Sequence, residues 1–488
     1  MESKLQKIAK EESSIKRTEN GAFAYNTTDN SLVDLFAVIG ALRPRTESEI
    51  RDKFANAFNQ DALLATKMLF YAGNIRGGLG ERRTFRICLE WLANNYPSIV
   101  EKNIGAIPLF NRWDSIFVLI GTPCESYMWK FVYEQIVEDW NNYKNKKSIS
   151  LLAKWMPSEN ASSICTKRNA KIARQNFNLT SRQYRKMLST LRKYLDVTEI
   201  KMSSGNWSGI NYEAVPSRAM MKYNNAFKKH DMDGFCRYIE ALNRGEKKIN
   251  ASTLYPYDLV KNYMRYNIAQ KSEVVEQQWK ALPNYIDEES NILIMADVSG
   301  SMYGRPLETS IGLAIYFAER NKGPLEGIYM TFTSHPRFQY IDTNETLERK
   351  VEKVLRTDIG YSTNLSRAFD YLLEKAVDYD FKQEDMPNAI VVISDMEIDH
   401  YMRPSSNWDF IKTQKAKYAA YGYILPKMIL WNVEARNDTV LSKSDDVLFV
   451  SGQSPSTFKS LLGNLNGKNN WDLMLEVLNN EIYDCITI

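Results

Sequence analysis

Asp297, Ser299 and Ser301 alternate within residues 291–302, NILIMADVSGSM, with Gly300 between the two serines. The stretch opens as an apolar run, and Asp297 is its first charge. An apolar run that ends in alternating carboxylate and hydroxyls reads as a buried strand handing oxygen atoms to the loop at its C-terminal end. Oxygen-only ligands of this kind suit a hard divalent cation such as Mg²⁺. The plainer alternative is that the two hydroxyls cap a following helix.

Two further loops are placed to complete an oxygen cage. One is 360–365, GYSTNL, just ahead of a helical run, and the other is 394–395, Ser-Asp, at the end of the apolar run AIVVI. Both lie in a region where β-like and helical runs alternate from residue 291 onward: 292–296, 306–320, 328–332, 346–355, 365–377, 389–394, 409–419, 427–432, 447–450 and 457–465. Such alternation predicts a parallel, doubly wound α/β sheet, whose ligands sit at the C-terminal ends of the strands.

The order and spacing of these loops resemble the metal-ion-dependent adhesion site of von Willebrand factor A (vWA) domains. There an Asp-x-Ser-x-Ser loop, a Thr from a second loop and an Asp from a third hold the ion. Carried onto this sequence, the resemblance implies Asp297, Ser299, Ser301, Thr363 and Asp395 as ligands of Mg²⁺ or another divalent cation. Of the alternating Asp395, Glu397 and Asp399, only Asp395 matches the pattern. Uncharged hydroxyls around the ion leave it electron-poor, so its open position favours an anionic oxygen from a partner, such as a carboxylate or a phosphate.

Residues 1–286 read differently. Leu32, Leu35, Phe36 and Ile39 fall at helical spacing before Gly40 and Pro44, and 47–71 is a second helical stretch. Helical patterns continue over 85–94, 126–142, 148–155, 217–230, 258–264 and 272–282. A string of helices with short connections suggests stacked helix pairs. Between two of them, residues 74–83, NIRGGLGERR, set three glycines among three arginines; the stretch is either a structural turn or a phosphate-contacting loop, and it lacks the ending of a Walker loop. Arg112 and Asp114 flank Trp113 and suggest an internal ion pair.

The strongest charge feature is 167–193. It holds Lys167, Arg168, Lys171, Arg174, Arg182, Arg185, Lys186, Arg192 and Lys193, with no acidic residue between Glu159 and Asp196. Thr180 is placed to cap a helix whose Tyr184, Met187, Leu188, Leu191 and Leu195 form an apolar face, which turns the basic groups toward solvent. These nine residues are the candidates for contacting RNA phosphates, and Phe177 or Tyr184 for stacking bases if exposed. A solvated basic face is the competing reading.

The net charge of +4 hides an asymmetry: residues 287–488 hold 20 Lys+Arg and 30 Asp+Glu, and residues 1–286 hold 43 and 29. A basic half beside an acidic half suits a nucleic-acid-binding module joined to a different module. Five scattered cysteines without CxxC spacing argue against a zinc site or a disulfide framework and fit a reducing, cytoplasmic setting. The N-terminus is charged and lacks the apolar core of a secretory signal, and no stretch has the length of a membrane span. No HExxH, Ser-His-Asp constellation or paired-metal carboxylate cluster is visible, so no enzymatic activity and no small-molecule cofactor are expected.

A basic helical half followed by a vWA half with its metal motif resembles the Ro autoantigen (TROVE) architecture. In that family HEAT-like helical repeats bind small structured or misfolded RNAs. Residues 75–82, IRGGLGER, are closer still to a family that pairs a helical domain carrying an IRGGxGER-like motif with this vWA domain. The expectation is therefore a multidomain chain. Residues 1–286 form an all-α, HEAT-like repeat domain, and 287–488 a doubly wound, Rossmann-like vWA domain. The chain acts as a non-enzymatic RNA-binding protein of ribonucleoprotein type, or alternatively as a metal-dependent protein-interaction scaffold whose metal grips an acidic partner.

Overall fold

Side-chain caps fix where many helices begin. Asn30 accepts from the backbone of Leu32 and Val33 to open Ser31–Val38, and Thr46 with Glu49 forms a capping box at Glu47–Gln60. Thr180 and Gln183 do the same for Ser181–Tyr194, as the sequence suggested. The stretch 47–71 is two helices rather than one, because Asp61 adopts an extended conformation between Glu47–Gln60 and Ala62–Gly73. The computed structural model describes residues 15–21, 23–264, 272–286, 291–331, 335–356, 364–398, 410–438, 440–458 and 467–488.

These residues form two compact units. One comprises Met1–Ala65, Gly77–Leu79 and Ala251–Asn480, the other Thr66–Arg76, Gly80–Asn250 and Glu481–Ile488. The division differs from the halves 1–286 and 287–488 expected from composition. Long-range packing explains the difference. Trp279 donates to Glu319 at 2.7 Å, Tyr316 donates to the Pro283 carbonyl at 2.6 Å, and the Leu347 amide donates to Glu276 at 2.9 Å. Residues from 251 onward are thereby tied to the sheet that follows them.

The first unit is built on a six-stranded mixed sheet. Its strands are β3 (Ile292–Ala296), β4 (Ile328–Thr331), β5 (Arg337–Tyr340), β6 (Ala389–Ser394), β7 (Lys427–Asn432) and β8 (Val447–Ser451). Their order is β5-β4-β3-β6-β7-β8, parallel throughout except for the antiparallel edge strand β5. The strands β3 and β6 are wholly buried, which is why each reads as a continuous apolar run. β5 was not expected from the sequence, since RFQY at a sheet edge carries no apolar pattern. Strand order reverses between β3 and β6, so this sheet has its topological switch point at their C-terminal ends.

The N-terminal region is helical but not all-α. β1 (Ile15–Arg17) and β2 (Phe23–Tyr25) form an antiparallel ribbon, and Tyr25 pairs onward with Val440. These strands are too short to leave a periodic signal. The helix Ser31–Val38 is followed by Gly40, where an added Cβ would stand 2.6 Å from the Ser451 carbonyl oxygen. The chain therefore passes directly over the end of β8.

The second unit is helical. Its long helices are Arg82–Asn95, Glu125–Lys144, Ile164–Asn176, Ser181–Tyr194, Ser217–His230 and Met232–Asn243. Its core includes Phe85, Phe110, Trp129, Tyr184, Phe227 and Phe235. The segment Glu481–Ile488 completes it: Tyr483 stacks on Phe110 with ring centroids 5.2 Å apart, and Asn103 exchanges two hydrogen bonds with Thr487. Among the described residues no helix is long and apolar enough to cross a membrane.

Candidate functional site

The register of β3 against β6 pairs Ala296 with Ile393, which sets Asp297 beside the end of β6. Asp297 donates its amide to the Ile393 carbonyl at 3.0 Å. Its carboxylate is fully buried; Oδ1 accepts from the Ser299 amide at 2.9 Å and Oδ2 from the Ser394 hydroxyl at 2.6 Å. The Ser299 and Ser301 hydroxyls lie 3.1 Å apart. Neither caps the following helix Arg305–Arg320, whose N-cap is Gly304, and no side chain caps the short turn Gly300–Met302 between them.

Asp395, the next residue after β6, is also buried, and its Oδ1 accepts from the Glu397 amide at 3.2 Å. Its Oδ2 is shut away from solvent without a hydrogen-bond partner. The Arg436 guanidinium stands 3.7 Å from that oxygen, bonded meanwhile to Glu434 and to the Ser301 carbonyl. Burial, then the charge of Asp395, pushes the Asp297 carboxyl up to about 6.

Two buried carboxylates that raise each other's cost, one orphaned oxygen and two adjacent hydroxyls make a donor set that fits a hard cation. Thr363, the fifth ligand implied by the resemblance, lies outside the described residues, as does Asp399. Among the described residues no three His, Cys, Asp or Glu side chains are gathered in a way that could hold an ion. The arrangement of Asp297, Asp395, Ser299 and Ser301 instead pairs two carboxylates with hydroxyls.

Sequence reasoning missed two participants. Ser394, seen only as part of a loop, ties the two aspartate-bearing strands together. Arg436 follows β7 with no pattern to mark it, and its position emerges only from the strand order.

The basic run folds as the helices Ile164–Asn176 and Ser181–Tyr194. Lys167, Arg168, Lys171, Arg182, Arg185, Lys186 and Lys193 are exposed. Arg174 and Arg192 are occupied within the fold. Arg174 pairs with Glu159 at 3.1 Å. Arg192 donates to the carbonyls of Ala153 and Met156, each at 2.8 Å, and to the Ser158 hydroxyl at 2.9 Å. Phe177 and Tyr184 are buried, and Tyr184 donates its hydroxyl to the Pro157 carbonyl, so neither is available to stack a base. The hydrophobic face that the helix must bury claimed Tyr184 first.

The NIRGGLGERR stretch is a turn between the helices Ala62–Gly73 and Arg82–Asn95. The Glu81 amide donates to the Ala72 carbonyl at 2.7 Å, and Asn74 donates to the Tyr483 hydroxyl at 3.1 Å. Arg112 and Asp114 form the expected ion pair, with Nε 2.8 Å from the carboxylate.

The molecule thus combines a helical unit bearing exposed basic helices with a mixed-sheet unit holding two buried aspartates at its switch point. The chain belongs to the family described as a domain of unknown function (DUF2828), which matches residues 18–111 and 131–292, together more than half its length. Residues 291–481 match a second domain of unknown function (DUF7788). The chain is also similar to an uncharacterized protein of Acanthamoeba polyphaga mimivirus, 29% identical over 505 residues, covering 94% of this chain and 86% of that one.

Proposed function

We propose that this chain is a non-enzymatic, Ro-like RNA-binding protein, a ribonucleoprotein scaffold of the cytoplasm. In this reading the helices are HEAT-like, TROVE-type repeats, and the sheet unit is a vWA domain. The observation that carries it is the exposure of Lys167, Arg168, Lys171, Arg182, Arg185, Lys186 and Lys193 on two consecutive helices. Such groups neutralise phosphates and release counterions, so the affinity they supply falls as salt rises. They suit a small structured or misfolded RNA, whose backbone they read without sequence preference.

Mg²⁺ or another divalent cation fits Asp297, Ser299, Ser301 and Asp395, with Thr363 as a fifth ligand. When bound, the ion supplies an electron-poor coordination position for an anionic oxygen of a partner. The chain's own residues do the rest. Ser394 holds Asp297 in place, the Glu397 amide orients Asp395, and the Arg436 guanidinium neutralises part of the carboxylate charge.

A second reading, a metal-dependent protein-interaction scaffold without RNA binding, draws support from the orphaned Asp395 Oδ2, since a buried unpaired carboxylate oxygen calls for a cation. One experiment separates the two. Binding of a structured RNA is measured across a salt series for the wild type, for the triple variant Arg182→Glu, Arg185→Glu, Lys186→Glu, and for Asp297→Ala. The first reading expects a steep salt dependence, at least about a tenfold loss in the triple variant, and unchanged RNA affinity in Asp297→Ala. Absence of salt-dependent RNA binding by the wild type sinks it. Metal-dependent capture of an acidic protein, lost in Asp297→Ala, would then favour the second.

A further inference from the structure

We propose that Arg436 is a built-in stand-in for the divalent cation. Its guanidinium serves the Asp395 carboxylate while no ion is bound, and an ion loads only by taking Asp395 from it. This gate rests on the metal-binding reading of the site given above and adds how its occupancy is controlled.

The guanidinium stands where a cation is wanted. Asp395 is buried, and its Oδ2 accepts no hydrogen bond. Nη2 of Arg436 lies 3.7 Å from that oxygen, an ion pair without a hydrogen bond. The same nitrogen donates to the Ser301 carbonyl, in the loop that carries the Ser299 and Ser301 hydroxyls. One side chain thus bridges the loop after β3 and the residue after β6, two of the places that supply oxygens to the site. A guanidinium carries a fixed charge and has no acceptor atom. It replaces a cation against these oxygens and cannot join one as a ligand.

The carboxylates gathered here outnumber it. Asp297 and Asp395 follow adjacent strands, both buried. Glu434 accepts from Arg436 Nε at 3.0 Å. Glu397, also buried, accepts from the Glu19 amide at 2.6 Å and from the Asn437 side chain at 3.1 Å. The Glu19 carboxylate accepts from Asn437 at 2.9 Å, and Lys16 acts on Glu397 from β1. The guanidinium set against Asp395 is shared with Glu434 and does not hydrogen-bond the oxygen it faces. A buried carboxylate served this way is half answered, and a divalent ion answers it more fully. The two cannot serve it together, because a unit charge and a divalent ion on one buried oxygen repel strongly.

The fold aims Arg436 at Asp395 and leaves it a way out. Asn437, the next residue, is tied to Glu19 and Glu397, the Asn20 side chain donates to the Glu397 carbonyl at 2.7 Å, and the Thr18 hydroxyl donates to the Ile398 carbonyl at 2.7 Å. The turn of the β1–β2 ribbon thereby fastens the segment after β6 to the segment after β7. The Asp395 side chain is 0% exposed, whereas that of Arg436 is 30% and that of Glu434 24%. Glu434 is the partner the guanidinium keeps when it leaves Asp395. The consequence is a lowered affinity for the ion and a metal-free chain that keeps its shape.

The full-length protein, stripped with chelator and desalted, is titrated with Mn²⁺ by electron paramagnetic resonance and with Mg²⁺ by calorimetry. Melting temperatures are measured in chelator and in saturating Mg²⁺. Arg436→Gln is expected to bind Mn²⁺ at least about tenfold more tightly than the wild type. In chelator it should melt lower, because Asp395 is then a buried charge without a cation, and saturating Mg²⁺ should close the gap. Equal or weaker Mn²⁺ binding by Arg436→Gln overturns the gate and leaves the metal reading standing. A melting deficit that Mg²⁺ does not reduce also overturns it, since Arg436 would then be a structural tie between loops. If neither the wild type nor Arg436→Gln binds Mn²⁺ or Mg²⁺, the metal reading falls and the gate with it. Should Arg436→Gln fail to fold, Arg436→Lys carries the same test. Its shorter reach and lack of a fork weaken the hold on Asp395, so a gain of about threefold is expected, and no gain overturns the gate.

Discussion

Asp297 has no charged partner of opposite sign within its own strand or loop, only hydroxyl and amide donors. Its carboxyl is pushed up from an ordinary 3.8 to about 6. In the metal-free protein the folded chain therefore keeps a proton that the unfolded chain gives up, so stability falls as pH rises from about 4 through about 6 and stays low above. Replacing the carboxylate by an amide removes this penalty. Asp297→Asn in chelator is expected to be more stable than the wild type at pH 7 by about 1–3 kcal/mol, and to lose the share of the pH dependence between about 4 and 6 that Asp297 supplies. Denaturant titrations at pH 5 and 7 check it, and a destabilised Asp297→Asn at pH 7 would sink the argument. Added Mg²⁺ should raise the melting temperature of the wild type and leave Asp297→Asn unmoved. The spacing of Asp297, Ser299 and Ser301 was legible because three neighbours in sequence are neighbours in one loop. Ser394 and Arg436 were not, since each meets the aspartates only through the lateral order of strands. Arg192 misled for a related reason: its charge promised exposure, while its long stem let the guanidinium reach three acceptors inside the fold.

Elements were legible in proportion to their burial. The strands β3, β6, β7 and β8 stand in the sequence as apolar runs because parallel strands are covered on both faces. The edge strand β5 and the ribbon β1–β2 carry no such run, and they were missed. Helix ends followed their caps, at Thr46 and Thr180 above all. Gly40 shows a constraint of another kind, set by an element far along the chain. Its amide donates to the Ser451 hydroxyl at 3.0 Å, and no room remains for a side chain above the β8 terminus. Gly40→Ala is expected to cost about 1–3 kcal/mol, because rigid backbone rather than a flexible side chain must move. Gly105→Ala is the control: an added Cβ there meets nothing within 4 Å, and a change within about 0.5 kcal/mol is expected. Urea unfolding of the two variants measures both, and equal midpoints would refute the close approach at Gly40.

At the scale of the molecule, composition located the charge asymmetry but not its border. Divided by compact unit, the helical unit carries +12, and the sheet unit, with 33 Lys+Arg and 41 Asp+Glu, carries −8. Segments 1–65 and 251–286, read as part of the basic half, fold with the acidic sheet and contribute nothing to the excess. Local composition cannot report which distant segments will pack together, and the reverse case is Glu481–Ile488, which closes the basic unit from the far end of the sequence. Tyr483 is buried there against Phe110 and Tyr71. Tyr483→Ala is expected to cost about 3–5 kcal/mol. The loss should fall on the helical unit, read as faster hydrogen exchange in Arg82–Asn95 with β3 and β6 unchanged. Uniform exchange across both units would contradict the division.

That closing segment also sets an order of events during synthesis. The ribosome completes the helices up to Asn250 and must then make residues 251–480 before Tyr483 exists. At typical elongation rates the interval is roughly 10–50 s. For that time the Phe110 and Tyr71 rings lack the Tyr483 ring that packs against both in the folded unit.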